Sequence, residues 1–303
     1  MTRSEEVEIV EVGPRDGLQN LQFFVDTEKK VQLIRLLAES GLSAIEATSF
    51  VHPKTIPQFR DAVPTIEGLK GLKGVKIIAM VPNLVGALNA LKAGVQEITF
   101  VFSVSASHNS KNVNKTPGES LEELQKIMDL PGMGDTWNLR VILATFFGCP
   151  FEGIIPDKIA YDYLDRVVSM GVKTISFADT VGYGNPRQVK RMITTALHRY
   201  PDRHFIIHLH NTRGLGLANA LAAYEAGLRT FDAAIGGLGG CPYAPGATGN
   251  ISTEDLVFMF ESMGVKTGVQ FANLLQASQY LKTILPGVEL SSSLLRAGLP
   301  VSS

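Results

Sequence analysis

Residues 217–235 read LANALAAYEAGLRTFDAAI. The first part, Leu217–Ala226, has the composition of a helix. It stops at Gly227, and after a short link an apolar run, Thr230–Ile235, has the composition of a strand. Glycine takes the left-handed turn that ends a helix, and the aliphatic that follows packs back on it. The same punctuation recurs as Ser40-Gly41-Leu42, Ala93-Gly94-Val95, Met170-Gly171-Val172 and Met263-Gly264-Val265. All but the last of these marks lead into a strand. Strand-like runs lie at Val7–Val12, Ala44–Ser49, Val75–Val81, Glu97–Val104, Leu139–Phe147, Thr174–Ala178, His204–His210 and Thr230–Ile235. They are short, continuous and apolar, as strands buried on both faces are. Helical patterns alternate with them. Thr27 is placed to cap one, Asn185-Pro186 is an N-cap with proline in the first turn, and Thr253–Met263 is another.

Eight αβ units close a (β/α)8 TIM barrel, typically of about 250 residues. The expectation is one domain over 1–303, with the barrel at about 5–265 and a short C-terminal helical extension at about 266–303. An open doubly wound sheet is the alternative, and it wants a glycine-rich phosphate fingerprint after the first strand. Gly13-Pro14-Arg15-Asp16-Gly17 is not one, because proline and two charges occupy it.

The 303 residues carry a formal net charge of −1 and are 45% hydrophobic. No basic cluster points to nucleic acid. No apolar run reaches the ~18 residues that span a membrane. The start, Met-Thr-Arg-Ser-Glu-Glu, is charged and shows no signal or transit peptide. Both cysteines, Cys149 and Cys241, lie in Gly/Pro-containing loops. A cytoplasmic enzyme with reduced thiols is the expectation.

In a parallel barrel the C-terminal strand ends open on one face, where chemistry is done. His208 and His210 alternate on a strand, so their rings point to one side, and two imidazoles there suit a divalent metal. For an isolated pair, ordinary hydrogen bonding is an equally good reading. Arg15-Asp16 follows the first strand. Alone it reads as a loop ion pair, whereas beside the histidines Asp16 becomes a third ligand and Asn250 a neutral oxygen. That donor set suits Mg²⁺ or Mn²⁺ better than zinc, since no thiolate pair accompanies it. Glu46 sits among apolar strand residues, where an unpaired carboxylate costs several kcal/mol; it is placed to orient Arg15 or a metal-bound water. Asp179 ends the sixth strand in a similar position. The loop Gly236-Gly237-Leu238-Gly239-Gly240-Cys241-Pro242-Tyr243 is either a tight turn with a buried thiol or a closing loop that carries Cys241 to substrate. His52, His108, His198 and His204 have no such neighbours in sequence and read as structural or surface residues.

The segments Gly13–Asn20, Ile45–Lys54, Phe147–Gly153, His208–Asn211 and Gly237–Asn250 together resemble the 3-hydroxy-3-methylglutaryl-CoA lyases, over nearly the whole chain and at the same spacing. The wider group is the metal-dependent TIM barrels that make or break a C–C bond beside a carbonyl. The resemblance implies Asp16, His208, His210 and Asn250 as metal ligands, Arg15 as the enolate stabiliser, Cys241 as the loop thiol and Glu46 as a supporting carboxylate. Gln19, Asp179 and Asn211 are candidates for supporting or substrate-binding positions. It also implies an acyl-CoA thioester as substrate and a homodimer, with no nucleic-acid or membrane partner. The chain departs from the lyases at Asn211, where they carry aspartate, and at Ala234, where they tend to carry serine. Alternatives are a lyase for a related 3-hydroxyacyl-CoA, an isopropylmalate-synthase-like condensing enzyme, and a non-enzymatic acyl-CoA binder.

Overall fold

The computed structural model describes residues 6–239 and 249–300. The glycines read as helix stops all have positive φ: +92° at Gly41, +93° at Gly94, +89° at Gly171, +112° at Gly227 and +75° at Gly264. The strands they separate are β1 (Glu8–Glu11), β2 (Ala44–Ser49), β3 (Lys76–Val81), β4 (Glu97–Ser103), β5 (Asn138–Ala144), β6 (Thr174–Asp179), β7 (His204–Leu209) and β8 (Thr230–Ala233). Each pairs in parallel with the next, and β8 pairs with β1, so the sheet closes into a TIM barrel.

The helices are α1 (Thr27–Glu39), α2 (Ala62–Gly68), α3 (Leu84–Lys92), α4 (Ala106–Val113), α5 (Pro117–Met128), α6 (Asp157–Ser169), α7 (Pro186–Arg199), α8 (Gly216–Ala226), α9 (Thr253–Ser262), α10 (Phe271–Ile284) and α11 (Ser293–Ala297). Helices α10 and α11 form the C-terminal extension, and α10 packs on α1 and α9. Gly41 allows this fit: a Cβ there would lie 2.4 Å from the Gly268 carbonyl oxygen.

Two local readings differ from the structure. Asn185 does cap α7, accepting from the Gln188 N–H. Thr27 does not cap α1; it is the helix's first residue, and its hydroxyl donates to Asp61 Oδ2 at 2.7 Å. That carboxylate also receives Lys30, so the hydroxyl is drawn across to the α2 region. Strand β5 ends at Ala144 rather than Phe147, because Thr145 turns the chain with φ +58°. Its N–H is taken by Thr180 Oγ1 at 2.8 Å, which holds this turn at the barrel mouth.

Barrel interiors are normally filled by layers of branched apolar side chains. This one is polar at its centre. Glu46, Thr99, Arg140, Ser176 and Asp232 are all buried, and register sets Arg140 beside Thr99 and Thr174, and Asp232 beside His208 and Val10. Above this layer a cavity of about 230 Å³ opens among Arg15, Asp16, Met80, Ala178, His208 and His210.

Candidate active site

Strand β1 delivers the first functional pair. After Glu11 the chain makes one wide helical turn, Gly13–Gly17, with every residue buried. Glu11 shapes it: its Oε1 accepts from the Gly13 N–H at 2.7 Å and from the Ile235 N–H at 2.9 Å, tying the β1 and β8 ends together. The turn aims Arg15 and Asp16 at the cavity. Arg15 donates through Nε to Glu46 Oε2 and through Nη1 to Asp16 Oδ1. Burial pushes the Arg15 guanidinium's pKa down, but Glu46 and Asp16 outweigh it and hold it above its ordinary value. Burial likewise pushes Asp16 up, and Arg15, His208, His210 and the Asn250 amide reverse that, so it stays ionised far below the usual carboxylate range.

The remaining groups converge on Asp16. Gln19 Nε2 donates to its Oδ1 at 3.1 Å. Asn250 Nδ2 donates to its Oδ2 at 2.7 Å and to the Leu238 carbonyl at 3.0 Å. Asn250 thus meets the cluster as an amide donor, whereas the sequence suggested an oxygen ligand. His208 Nε2 lies 3.9 Å from Asp16 Oδ2. Among the described residues Asp16, His208 and His210 form a possible metal site, with one donor atom from each within 4.8 Å of the others. The donors suit a hard or borderline divalent cation. His210 Nδ1 is buried with no hydrogen-bond partner among the described residues, a lone pair that a cation would satisfy. Burial, then the neighbouring His208, pushes the His210 pKa down to about 4, so the ring is neutral and able to ligate at pH 7. Gly239, with φ +103°, passes directly over this cluster; a Cβ there would stand 2.6 Å from Asn250 Nδ2.

Other candidates stand further from the cavity. Asp179 is buried and accepts from the Tyr183 and Gly184 N–H groups at 2.8 and 3.0 Å, so it shapes the turn after β6. Burial pushes its pKa up to about 6 against those bonds. Asn211, a candidate for a supporting or substrate-binding position, turns its amide oxygen toward the next helix. Its Oδ1 accepts from the Gly216 N–H at 3.0 Å, at the first residue of α8. Ala234 is buried in the apolar core. Cys149 is a buried free thiol, its Sγ 2.9 Å from Ser105 Oγ. Cys241 lies outside the described residues. His108, read as structural, is buried on Ser103 at 2.6 Å yet also borders the cavity.

Two residues at the heart of the site are not among those singled out from sequence. Asp232 on β8 touches His208: Nδ1 of the imidazole and Oδ2 of the carboxylate are 3.1 Å apart. Arg140 on β5 donates through Nη2 to that same oxygen and to Ser176 Oγ at 3.0 Å. The criterion that marks Glu46, a charge inside an apolar strand, marks both of these as well.

Known proteins bear on this geometry. Residues 6–281 match the HMGL-like family model. The chain belongs to the HMGL-like family. It is 43% identical over 282 residues to a hydroxymethylglutaryl-CoA lyase of Bacillus subtilis, covering 93% of this chain and 94% of that one. It is 39% identical over 283 residues to a mouse 3-hydroxy-3-methylglutaryl-CoA lyase named as cytoplasmic, covering 91% and 80% of the two chains. Its fold superposes with TM-score 0.92 on an HMG-CoA lyase from Acinetobacter baumannii solved with coenzyme A and 3-methylmalate; the two are 43% identical and both chains are covered in full.

Proposed function

We propose that this chain cleaves 3-hydroxy-3-methylglutaryl-CoA to acetyl-CoA and acetoacetate, with Asp16, His208 and His210 as ligands for Mg²⁺ or Mn²⁺ and the amide oxygen of Asn250, whose nitrogen is engaged by Asp16 and Leu238, as the fourth donor. The chain is a carbon–carbon lyase of the hydroxymethylglutaryl-CoA lyase type. The observation that carries the assignment of residues is the buried Asp16–His208–His210 cluster with the Arg15 guanidinium on its edge.

Asp16, His208 and His210 would hold the divalent cation, whose Lewis acidity would lower the pKa of the substrate's tertiary hydroxyl. Loss of the hydroxyl proton to a base lets the C2–C3 bond break. C3 becomes the ketone of acetoacetate, and the electron pair stays on C2 as the enolate of acetyl-CoA. Arg15 is a fixed cation beside the cavity, held by Glu46 and Asp16, and in this reading it would face the oxygen on which the charge develops. A pre-aimed charge of this kind is typically the largest single catalytic term. Cys241 would deliver the proton that C2 needs to complete acetyl-CoA. Gln19 steadies Asp16, and Asp179 steadies the turn after β6.

Ala234, buried away from the cavity, gives no reason to change the acyl group relative to the B. subtilis relative. A single domain over 1–303, a homodimer and a cytoplasmic location complete the proposal; the mouse relative above carries that location in its name.

The test is chemical. Protein stripped with EDTA should not turn over the thioester, and Mg²⁺ or Mn²⁺ should restore equimolar acetyl-CoA and acetoacetate. Among a panel of 3-hydroxyacyl-CoA thioesters, the 3-hydroxy-3-methylglutaryl compound should have the highest kcat/KM. Full activity in metal-free protein, or in His208→Ala, would remove the ligand assignment.

A further inference from the structure

We infer that Asp232 and Arg140 form a positioning device for His208, fixing which ring nitrogen carries the proton and therefore which one is free for the cation. The inference rests on the reading of His208 as a ligand given above. Three facts carry it. The Oδ2 of Asp232 lies 3.1 Å from His208 Nδ1 and also accepts from Arg140 Nη2. The opposite nitrogen of His208, Nε2, points at Asp16 Oδ2 across 3.9 Å. Arg140 and Asp232 are both 1% exposed, and neither borders the cavity at the barrel mouth.

An oxygen already receiving a hydrogen from a guanidinium is an acceptor. The contact with His208 therefore works only if Nδ1 is the protonated nitrogen. In a neutral imidazole the other nitrogen then has the free lone pair. Here that is Nε2, on the Asp16 side. The strands make the arrangement rigid. β8 sets Asp232 opposite His208 of β7 in register, and Ser176 of β6 holds the Arg140 fork from a third strand. A continuous series of polar contacts then runs through the barrel: Arg140, Asp232, His208, Asp16, Arg15, Glu46.

Stability is a poor explanation for the pair. Replacing a buried ion pair by well-packed apolar residues is often neutral or stabilising. Arg140 Nε and Nη1 and Asp232 Oδ1 are buried without hydrogen-bond partners among the described residues. Such a pair at the centre of a barrel is costly, and what it does accomplish is the orientation of one imidazole. A partner on the far nitrogen of a ligating histidine fixes its tautomer and typically changes metal affinity by about 10–100-fold.

The experiment compares wild type, Arg140→Lys, Asp232→Asn and the double variant Arg140→Met/Asp232→Leu. The double variant removes both charges together, so no buried charge is stranded and the barrel should stay folded by circular dichroism. Two readouts are taken. In metal-free protein, imidazole ¹⁵N shifts report the His208 tautomer; with Mn²⁺ alone as probe, calorimetry reports affinity. Wild type should show Nδ1–H at His208, and the double variant a shift toward Nε2–H, with Mn²⁺ bound about 10–100-fold more weakly. Asp232→Asn keeps an oxygen for Nδ1–H and should fall between them, and Arg140→Lys should stay within a few-fold of wild type. A folded double variant with wild-type tautomer and wild-type Mn²⁺ affinity would overturn the inference. If wild type bound no Mn²⁺, the ligand reading would fail, while the tautomer measurement would still decide the role of Asp232.

Discussion

Among the described residues two arginines are buried against carboxylates, and carboxylates of the two groups reach the two nitrogens of the same imidazole from different strands. On the β1–β2 side, Arg15 binds Glu46 and Asp16, and Asp16 faces His208 Nε2. On the β5–β8 side, Arg140 binds Asp232, which faces His208 Nδ1. The residue types match, but the surroundings differ. Arg15 and Asp16 border the cavity, whereas Arg140 and Asp232 lie in the layer beneath it. A charge that borders the cavity can act on a reacting atom, while one a layer down can only orient the group above it. The chemistry of a buried ion pair is thus decided by which barrel layer it occupies.

The sharpest way to break this comparison is a change of guanidinium to ammonium at the mouth. Arg15→Lys keeps the positive charge but loses the fork that holds Glu46 and Asp16 at once. kcat should fall on the order of 10²-fold or more, as when an oxyanion donor is removed, while Mn²⁺ affinity should change little. The equivalent change below, Arg140→Lys, should cost only a few-fold. Steady-state kinetics with Mn²⁺ titration of both variants checks this. If the Arg15→Lys defect were confined to KM, Arg15 would bind substrate without stabilising the enolate, and the two pairs would no longer differ in kind.

Glu11 sharpens the contrast from another side, because it is a buried carboxylate with no arginine. Its partners are the N–H groups of Gly13 and Ile235 and the Thr253 hydroxyl. Burial pushes its pKa from 4.5 up to about 8 against those bonds, with Glu254 adding to the rise. The folded protein therefore keeps a proton that the unfolded chain releases once pH exceeds about 4.5. Stability contributed at this position is lost as pH rises from about 4.5 to about 8 and is level above that. Glu11→Gln is isosteric: its oxygen can accept the two N–H groups and its amide can donate to Thr253. Its stability relative to wild type should grow across that window, reaching on the order of a few kcal/mol by pH 8. Urea melts at pH 5, 7 and 8.5 measure it. A difference independent of pH would mean that Glu11 is ionised throughout, like the arginine-paired carboxylates.

The sheet was legible in the sequence because its signals are local. Each glycine stop needs only the helix before it, and each strand is marked by its own apolar run. Strand ends were less so: Phe146 and Phe147 look like strand, and only the Thr145–Thr180 bond across two loops turns the chain away. In the site, Arg15, Asp16, His208 and His210 stood out as polar residues near strand ends, and Glu46 as a charge among apolar strand residues. Asp232 and Arg140 did not, although each is a charge in an apolar strand. They are separated by 92 positions, and a charge in a strand reveals its role only when the partner on another strand is known. Asn211 stood out for its place after the histidines. Its Oδ1 meets the start of the next helix, a contact that proximity in sequence to a ligand does not disclose.

Asn211 therefore supplies the smallest expected effect and a control on both pairs. Its Oδ1 accepts from the Gly216 N–H, and a Cβ on Gly216 would lie 3.0 Å from that oxygen, so the side chain is fitted against the first turn of α8. An aspartate can accept the same hydrogen. Its negative charge would also sit at a helix N-terminus, where it is favourable by about 0.3–1 kcal/mol. Asn211 is absent from the residues that border the mouth cavity. Asn211→Asp should therefore raise stability slightly and leave Mn²⁺ affinity and kcat within about a factor of two to three, which corresponds to less than ~1 kcal/mol. Melting curves, calorimetry and kinetics on one preparation suffice. A large change in Mn²⁺ affinity would mean that the charge is felt at His208 or His210, and Asn211 would then belong with the ligand-orienting residues beside Asp232. A collapse of kcat with metal affinity intact would place its side chain against substrate, and the acyl group would have to be sought among other 3-hydroxyacyl thioesters.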